Sequence, residues 1–234
     1  MKLVMFDMDG TLTDSFAIDE NCYVLAISQA LGLTDIVTAW DSYTHASASY
    51  CLQEIVRTSR GEPVTEAESR AVQQRMIGLM DEIAFRRGRG TAEIPGAADC
   101  VRELRRRNIA VAIASGDWES TARHKLASAG IPFENLPSAY CDVSHARAEI
   151  MQSALRRAAA HYGCAQFERV VYVGDAPWDV RACRELGWPL VAVAQGRHAE
   201  RLKSLGAAEV IADYRRLGDF LAALEAAAVP GNPG

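Results

Sequence analysis

The sequence downstream of residue 94 alternates short apolar runs with helical patterns, and this alternation restricts the possible fold most strongly. The clearest run covers residues 109–114 and is apolar at every position, and further runs follow at residues 170–173 and 189–194. Strands that are buried on both faces and joined by helices are typical of a parallel sheet covered on both sides. Together with an apolar run at residues 3–6, these segments predict an α/β fold with a three-layer core.

Apolar spacing and helix-ending glycines place the remaining elements of this core. We predict helices around residues 100–104, up to about residue 129, and over residues 145–162, 177–186 and 217–227, with a short strand at residues 210–211. Pro177 suits the first turn of its helix, because no backbone donor is needed there. Residues 229–234 are predicted to form a loose tail.

Residues 16–92 show helical periodicity and no convincing strand. Apolar residues at helical spacing precede Gly32, a second helix ends near Gly61, and Thr65 with Glu68 has the form of a capping box for a third helix. We therefore predict a helical insertion (residues 16–92) that folds as a small separate domain. The core domain would then comprise residues 1–15 and 93–234.

Composition and charge exclude several classes of protein. The 234 residues are 49% hydrophobic with a formal net charge of −5, which provides a substantial core but no basic field for nucleic acid. No window approaches the roughly 18 consecutive apolar residues of a membrane span, and no signal peptide is recognisable, so we expect a cytoplasmic protein that binds no membrane. The six cysteines include no C-x-x-C pair, and we expect them to be reduced.

Two carboxylates leave the first predicted strand together. Asp7 ends the run at residues 3–6, and Asp9 follows two positions later, before Gly10 allows the chain to turn. Side chains at i and i+2 of an extended segment point the same way, so two like charges converge unless a cation or a proton compensates them. This favours a metal site. An ordinary turn built from Asp, Gly and Thr is the alternative for these residues alone.

Two further strands end in polar residues of a suitable kind. Ser115 and Gly116 follow one strand, and Asp175, with Asp179 four residues later, follows another. Ligands of open parallel sheets bind outside the carboxyl ends of the strands. Carboxylate and carbonyl oxygens suit Mg²⁺ completed by water and a substrate phosphate. Ser115 taken alone would also fit an ordinary turn.

These segments resemble three motifs of the haloacid dehalogenase-like (HAD) hydrolases. The residues that carry the resemblance are Asp7-Met8-Asp9-Gly10-Thr11-Leu12-Thr13-Asp14-Ser15, Ser115-Gly116 and Gly174-Asp175-x-x-x-Asp179. Their order and spacing match over essentially the whole chain. The resemblance implies a Rossmann-like core with a helical C1 cap at residues 16–92.

The resemblance also implies a role for each matched residue. Asp7 would be the nucleophile that forms an aspartyl-phosphate, and Asp9 the acid that protonates the leaving oxygen and then activates water. Asp7, Asp175 and the Asp9 carbonyl would bind Mg²⁺, with Asp179 orienting the shell of ligands. The residues that would bind the phosphate are Gly10, Thr11, Ser115 and Gly116. An acid at position 9 resembles the phosphatases of the superfamily rather than its dehalogenases.

The lysine of the third motif has no counterpart in the expected segment. The only lysines of the chain are Lys2, Lys125 and Lys203. Arg147 is the candidate replacement, as a catalytic and phosphate-binding cation. If Ser144 caps the following helix, Arg147 lies in its first turn, where a cation is unfavourable unless a bound phosphate and Asp7 compensate it. The alternative is a surface arginine paired with Glu149.

Residues of the insertion would determine the substrate. A hydroxyl-rich stretch could face a polar leaving group, and Trp118 could stack against one, with helix capping, solvent exposure or core packing as the alternative for each. The stretch comprises Tyr43, Thr44, His45, Ser47 and Ser49. The insertion contains no lysine, which argues against a Schiff-base enzyme such as phosphonoacetaldehyde hydrolase.

We expect a Mg²⁺-dependent phosphatase that hydrolyses a small phosphomonoester, closest in style to phosphoglycolate phosphatases. A phosphomutase of the β-phosphoglucomutase type and a catalytically weak phosphate-binding or regulatory protein are the alternatives. The partner would be a small phosphorylated metabolite rather than a nucleic acid or a membrane.

Overall fold

The computed structural model describes residues 1–232, apart from the side chain of Ala17. The strands are β1 (Lys2–Phe6), β2 (Thr13–Asp14), β3 (Ala92–Glu93), β4 (Ala110–Ala114), β5 (Ser138–Ala139), β6 (Arg169–Gly174), β7 (Leu190–Val193) and β8 (Glu209–Ile211). The helices are α1 (Phe16–Leu31), α2 (Ala48–Arg60), α3 (Glu66–Arg87), α4 (Ala97–Arg106), α5 (Glu119–Ser128), α6 (Arg147–Tyr162), α7 (Pro177–Leu186), α8 (Gly196–Ser204) and α9 (Leu217–Ala226). A 3₁₀ turn spans Trp40–Ser42.

Six of the strands form one parallel sheet in the order β5-β4-β1-β6-β7-β8. Strand β1 lies near the middle and pairs in parallel with β4 on one side and with β6 on the other. The predicted α/β fold is therefore confirmed. The strands that were predicted to end in site residues are the three adjacent strands β4, β1 and β6.

Helices cover both faces of this sheet, because alternate residues of each strand point to opposite sides. Leu3 and Met5 of β1 belong to a buried cluster with residues of α6, α7 and α8. Val4 and Phe6 belong to a second cluster with residues of α4, α5 and α9. None of these four side chains is more than 2% exposed, so the sheet is the middle of three layers.

The helical insertion packs its first helix, α1, against its third helix, α3. The predicted capping box at the start of α3 is confirmed, since the Glu68 amide donates to Thr65 Oγ1 at 3.2 Å and the Thr65 amide donates to Glu68 Oε2 at 2.8 Å. Tyr23 of α1 stacks on Trp118 at 5.7 Å between ring centroids. One apolar cluster therefore continues from the insertion into the core, and the domain boundaries at residues 15 and 93 stay a prediction.

Helix α6 begins at Arg147 and not at residue 145, and the expected cap at Ser144 is wrong. Ala146 occupies the capping position and provides no side-chain hydrogen bond. The Ser144 hydroxyl is used in the preceding turn, where it accepts from the Ala146 amide at 3.1 Å and donates to Glu149 Oε2 at 2.5 Å. Arg147 nevertheless lies in the first turn of the helix.

The prediction of a loose C-terminal tail is wrong as far as residue 231. Ala228 forms a bridge with Leu190, and Pro230 is buried. Arg184 Nε donates to the Gly231 carbonyl at 3.0 Å, so a guanidinium fixes this segment to α7. Residues 233 and 234 lie outside the described part of the chain.

Strands β2, β3 and β5 and helix α8 were not predicted from the sequence. Strand β5 is only two residues long, and α8 buries only Ala199 and Leu202 among otherwise polar residues, so neither shows a clear period. Strands β2 and β3 form a short antiparallel ribbon, in which Thr13 pairs with Glu93 and Asp14 pairs with Ala92. This ribbon brings together the two ends of the helical insertion.

All six cysteines lie in the described part of the chain as free thiols, and five of them are buried. Among residues 1–232, no helix has both the length and the apolar character that crossing a bilayer requires.

Candidate active site

A cavity of about 110 Å³ lies where the carboxyl ends of the central strands face the helical insertion. Because β4, β1 and β6 are neighbours, the residues that follow them meet at one edge of the sheet. The residues of the core that line the cavity are Asp7, Asp9, Ser115, Gly116, Asp117, Arg147, Asp175 and Trp178. The structure thus brings most of the predicted site residues into one small volume.

Asp7 is buried at the end of β1, with only 3% of its surface exposed. Arg147 Nη1 donates to its Oδ1 at 2.8 Å. Burial raises the pKa of Asp7 to about 8, and the neighbouring Asp179 and Asp9 carboxylates add to this effect, whereas Arg147 opposes it. In the absence of a further cation, the site therefore resists full ionisation of this carboxyl group.

Arg147 reaches the centre of the site from the first turn of α6. Its guanidinium also lies near Asp179, with Arg147 Nε 3.6 Å from Asp179 Oδ1. The Arg147 side chain is only 11% exposed. Burial alone would lower the pKa of Arg147, but the Asp7 and Asp179 carboxylates reverse this effect and raise the pKa, so the group stays charged. The alternative of a surface pair with Glu149 is not seen, because Glu149 accepts from Ser144.

Gly116 is shaped by the same guanidinium. A Cβ atom at this position would lie 2.8 Å from Arg147 Nη2 and 2.9 Å from the Ala46 carbonyl oxygen. The Gly116 carbonyl accepts from the Ala48 amide of the insertion at 2.8 Å. The insertion and the core therefore touch at a residue that has no room for a side chain.

Asp7, Asp175 and Asp179 form the strand-end cluster, in which each residue offers a carboxylate oxygen within 4.8 Å of the others. Asp179 is fully buried, and its Oδ2 accepts from the Ala176 amide at 3.1 Å. Its Oδ1 has no hydrogen-bond partner among the described residues. Burial and the like charges of Asp7 and Asp179 raise the pKa of Asp175 well above its usual value. A hard dication such as Mg²⁺ fits this set of oxygen donors, because it would compensate their repulsion.

The backbone of Gly10 allows Asp175 to take this position. Gly10 has a φ of 75°, and a Cβ atom there would lie 2.1 Å from Asp175 Oδ2. Thr11 is fully buried, and its Oγ1 has no hydrogen-bond partner in the described chain. Gly10 and Thr11 are absent from the described residues that line the cavity, unlike the other residues expected to bind phosphate.

Asp9, Asp19 and Asp117 form a second group of carboxylates, the lysine-centred cluster, which also lies within 4.8 Å. Lys125 Nζ contacts all three, at 2.7 Å from Asp9 Oδ2, at 2.8 Å from Asp117 Oδ2, and also at Asp19 Oδ1. Lys125 is 1% exposed. Burial alone would lower the pKa of Lys125, but the three carboxylates raise it well above its usual value, so this cluster contains its own cation.

The Asp9 side chain belongs to this lysine-centred cluster and not to the strand-end cluster. Lys125 binds its Oδ2, and the Ser15 hydroxyl donates to its Oδ1. Two donors from different elements thus fix the orientation of the carboxyl group. Contact with a metal, as expected for Asp9, would therefore fall to its backbone carbonyl.

Lys125 was not recognised as a site residue from the sequence. It lies on α5, more than a hundred residues from Asp9 and Asp19 in the chain. One signal was available, because Lys125 falls four residues after Thr121 and three after Ala122, on the buried face of its helix. A lysine on an apolar face requires a partner of opposite charge.

Ser115 lines the cavity and is 2% exposed, and its Oγ accepts from the Asp117 amide at 3.3 Å. From the hydroxyl-rich stretch of the insertion, Ser47 also lines the cavity, whereas Ser49 is bonded to His145 Nδ1 at 2.8 Å. Trp118 is buried against Tyr23 and is not among the described lining residues, so core packing explains it.

Several known proteins resemble this chain in sequence or in fold. A phosphoglycolate phosphatase of Rhodospirillum rubrum is 25% identical over 237 residues, which cover 94% of this chain and 90% of that protein. The solved structure of CbbY from Rhodobacter sphaeroides in complex with phosphate superimposes with a TM-score of 0.71 at 22% identity, covering 95% of this chain and 98% of that one. A putative beta-phosphoglucomutase from Bacteroides vulgatus gives 0.67 at 20% identity, covering 97% and 89%.

At such identities the solved structures establish a shared fold. The haloacid dehalogenase-like hydrolase family itself matches residues 1–187, which include the strand-end cluster, the lysine-centred cluster and Arg147. We conclude that the chain belongs to the haloacid dehalogenase-like hydrolase family.

Proposed function

We propose that this protein is a Mg²⁺-dependent phosphatase that hydrolyses a small phosphomonoester through a covalent aspartyl-phosphate. The observation that carries the proposal is the position of Asp7, which is buried at the end of β1 with Arg147 Nη1 2.8 Å from its Oδ1 and two further carboxylates beside it. A buried carboxylate held by a fixed cation at a ligand-sized cavity suits a nucleophile that attacks a dianion. The relation to a phosphoglycolate phosphatase supports the same reaction class.

Asp7 attacks the phosphorus atom, so that a bond forms between a carboxylate oxygen and phosphorus while the ester bond to the alcohol breaks. Asp9 gives its proton to the departing alkoxide. It then takes a proton from water, which attacks phosphorus and releases Asp7 and inorganic phosphate. The contacts of Asp9 with Lys125 and Ser15 keep its carboxyl group directed toward the cavity that it lines.

Asp7, Asp175 and the Asp9 carbonyl are the groups that would hold Mg²⁺, with Asp179 orienting them. When bound, the ion would supply positive charge between the Asp7 carboxylate and the phosphate dianion. Arg147 takes the place of the motif lysine, and its planar fork can contact Asp7 and a phosphoryl oxygen together. Ser115, Gly116, Gly10 and Thr11 would contact the phosphate.

Residues 16–92 act as the cap that closes the cavity and excludes water. The substrate is a small phosphorylated metabolite, and neither nucleic acid nor a membrane takes part. We place the enzyme in the cytoplasm, and its free, mostly buried thiols are consistent with a reducing compartment.

The test is release of inorganic phosphate from a panel of phosphorylated metabolites and p-nitrophenyl phosphate. Turnover should stop when a chelator is added and return with Mg²⁺, and rapid quenching should trap a phosphoenzyme that Asp7→Asn does not form. Undiminished turnover in excess chelator would contradict the metal requirement. Phosphate transfer between sugar hydroxyls without net release would instead indicate the phosphomutase.

A further inference from the structure

The wall that the insertion contributes to the cavity differs in composition from the core side, where Arg147, Ser115 and Gly116 would contact the phosphate. It consists of aromatic, acidic and small residues, namely Phe16, Asp19, Glu20, Tyr23, Trp40, Ala46, Ser47, Ala48 and Cys51. No described residue of this wall is basic. The leaving group of a bound phosphomonoester would lie against this wall, so the wall restricts the identity of the alcohol.

Two guanidinium groups outside the wall, those of Arg201 and Arg181, share the single carboxylate of Asp41. Arg201 lines an adjoining groove with Glu20 and Trp40, and its Nη2 donates to Asp41 Oδ2 at 2.8 Å. Arg181 donates to the other oxygen of Asp41 at 2.8 Å. A second anionic group on the substrate would lie beside the Glu20 carboxylate, and the wall itself offers it no counter-charge, which is unfavourable.

Tyr23 and Trp40 form an aromatic corner, with ring centroids 5.5 Å apart and ring planes at 86°. Glu20 adjoins this corner, because its Oε2 accepts from Trp40 Nε1 at 2.6 Å. No donor among the described residues is bonded to its Oε1, which can therefore accept a hydrogen bond from a ligand. Aromatic faces beside a carboxylate attract an organic cation through the ring quadrupole and through direct charge.

Ser47 provides a second and independent indication of a ligand. It is 4% exposed, it lines the cavity, and its Oγ has no hydrogen-bond partner among the described residues. An unpaired buried hydroxyl is unfavourable unless a ligand or water completes it. Ser47 immediately precedes α2 without capping it, so its hydroxyl is free to contact a polar leaving group.

We propose that the substrate is the phosphomonoester of a compact amino alcohol, whose ammonium group lies between Glu20 and the aromatic corner of Tyr23 and Trp40. The cavity is small, about 110 Å³, which favours a short-chain alcohol. This inference rests on the proposed phosphatase function. It also separates the chain from its curated relative, because phosphoglycolate carries a carboxylate at the position where this wall is acidic.

Three esters of similar size test the inference, namely O-phosphoethanolamine, 2-hydroxyethyl phosphate and 2-phosphoglycolate, which end in an ammonium, a hydroxyl and a carboxylate. We expect kcat/KM for phosphoethanolamine to exceed that for phosphoglycolate by about tenfold or more, with the neutral ester between them. Glu20→Gln should lower the ratio of kcat/KM for the amine ester to that for the neutral ester by on the order of tenfold. Gln can still accept from the Trp40 indole, so the wall should keep its shape.

Glu62→Gln is the matched control, because Glu62 is an exposed acid of the insertion outside the cavity. This change should leave kcat/KM unaltered for both the amine ester and the neutral ester. A preference for phosphoglycolate, or an unchanged ratio in a folded Glu20→Gln variant, would overturn the amine site. If that variant does not fold, the order of the three esters on the unaltered enzyme decides. If the enzyme hydrolyses p-nitrophenyl phosphate but prefers 2-phosphoglycolate among the three esters, this inference alone is refuted. If it hydrolyses no phosphomonoester, both the proposed function and this inference are refuted.

Discussion

The two carboxylate clusters beside the cavity each contain three acids, but they differ in how completely a side-chain cation compensates the negative charge. In the strand-end cluster, Arg147 approaches Asp7 and Asp179, whereas no cation of the described chain pairs with Asp175. In the lysine-centred cluster, Lys125 contacts all three acids. The number of acids in a cluster therefore does not by itself identify a metal site. What matters is whether a side-chain cation already occupies the centre.

The clusters also differ in the elements that build them. All three acids of the strand-end cluster come from the core, since Asp7 follows β1, Asp175 follows β6 and Asp179 lies in the first turn of α7. The lysine-centred cluster joins the core to the insertion, because Asp19 lies on α1 while Asp117 and Lys125 belong to the core. We therefore expect the first cluster to serve the chemistry and the second to serve alignment of Asp9 and contact between the two parts.

The largest expected effect comes from removing the nucleophile of the strand-end cluster. Asp7→Asn should lower kcat by on the order of 10⁴-fold or more, because the phosphoryl group is transferred to the Asp7 carboxylate in the proposed reaction. Asp19→Asn, in the lysine-centred cluster, is the matched change and should still form the phosphoenzyme. Rapid-quench labelling compares the two directly. A labelled Asp7→Asn variant would reverse the assignment of the clusters.

Removing the cation of the lysine-centred cluster should mainly lower stability. Lys125→Met leaves the buried Asp117 and the half-buried Asp9 and Asp19 without their shared cation, and we expect the free energy of unfolding to fall by about 3–5 kcal/mol. Denaturant titration measures this change. The control is Lys203→Met, since Lys203 is exposed and pairs with Glu200 in the same turn of α8. Adding Asp19→Asn to Lys125→Met should restore part of the loss, and strictly additive losses would show that Lys125 and Asp19 do not interact.

Removing the cation of the strand-end cluster should mainly lower activity. Arg147→Ala should reduce kcat/KM by on the order of 100-fold, the usual scale for one charge-stabilising group. The variant should still fold, and in Mg²⁺ its Tm should stay close to that of the unaltered enzyme. Arg147→Lys should recover part of the activity. Arg156→Ala, an exposed position on the same helix, provides the control. Full activity in Arg147→Ala would leave the phosphoryl group without its assigned cation.

The smallest expected effect is a pH-dependent response of stability to Mg²⁺. Because the pKa of Asp7 is raised to about 8 and that of Asp175 is raised well above its usual value, the metal-free native state binds more protons than the unfolded state. Stability should then fall as pH rises from about 4 to about 8. Mg²⁺ should raise Tm more at about pH 8.5 than at about pH 5.5, because it binds the ionised carboxylates. Equal shifts at both pH values, after correction for ionic strength, would contradict a cation requirement of this cluster.

The strand-end cluster could be predicted from the sequence, whereas the lysine-centred cluster could not. Asp7, Ser115 and Asp175 each follow a short apolar run, and the rule that parallel strands end at one edge is sufficient to bring them together. Arg147 was found through its position in the family pattern. Lys125 and Asp19 meet only because the tertiary fold brings α5 close to the first turn of α1. A single sequence contains no signal for that contact beyond the charge of Lys125 on a buried face.

The wall of the insertion was also beyond prediction. Glu20 and Trp40 are twenty residues apart and meet through the fold of the segment between them. Ser47 belonged to the hydroxyl-rich stretch that was predicted to face a leaving group, but Tyr43 and Ser49 of that stretch bond elsewhere. Helical periodicity locates the helices of an insertion without indicating which of their residues line a shared cavity.

The ribbon of β2 and β3 has a consequence for how such enzymes diversify. Thr13 pairs with Glu93 and Asp14 with Ala92, so the chain leaves the core and returns to it at adjacent points. A segment anchored in this way can be lengthened, shortened or exchanged at little cost in loop-closure entropy, because its ends are already held together. The catalytic edge of the sheet is built outside that segment, apart from Asp19. Exchange of the segment between residues 14 and 92 is therefore a route by which one hydrolytic core can acquire specificity for new substrates.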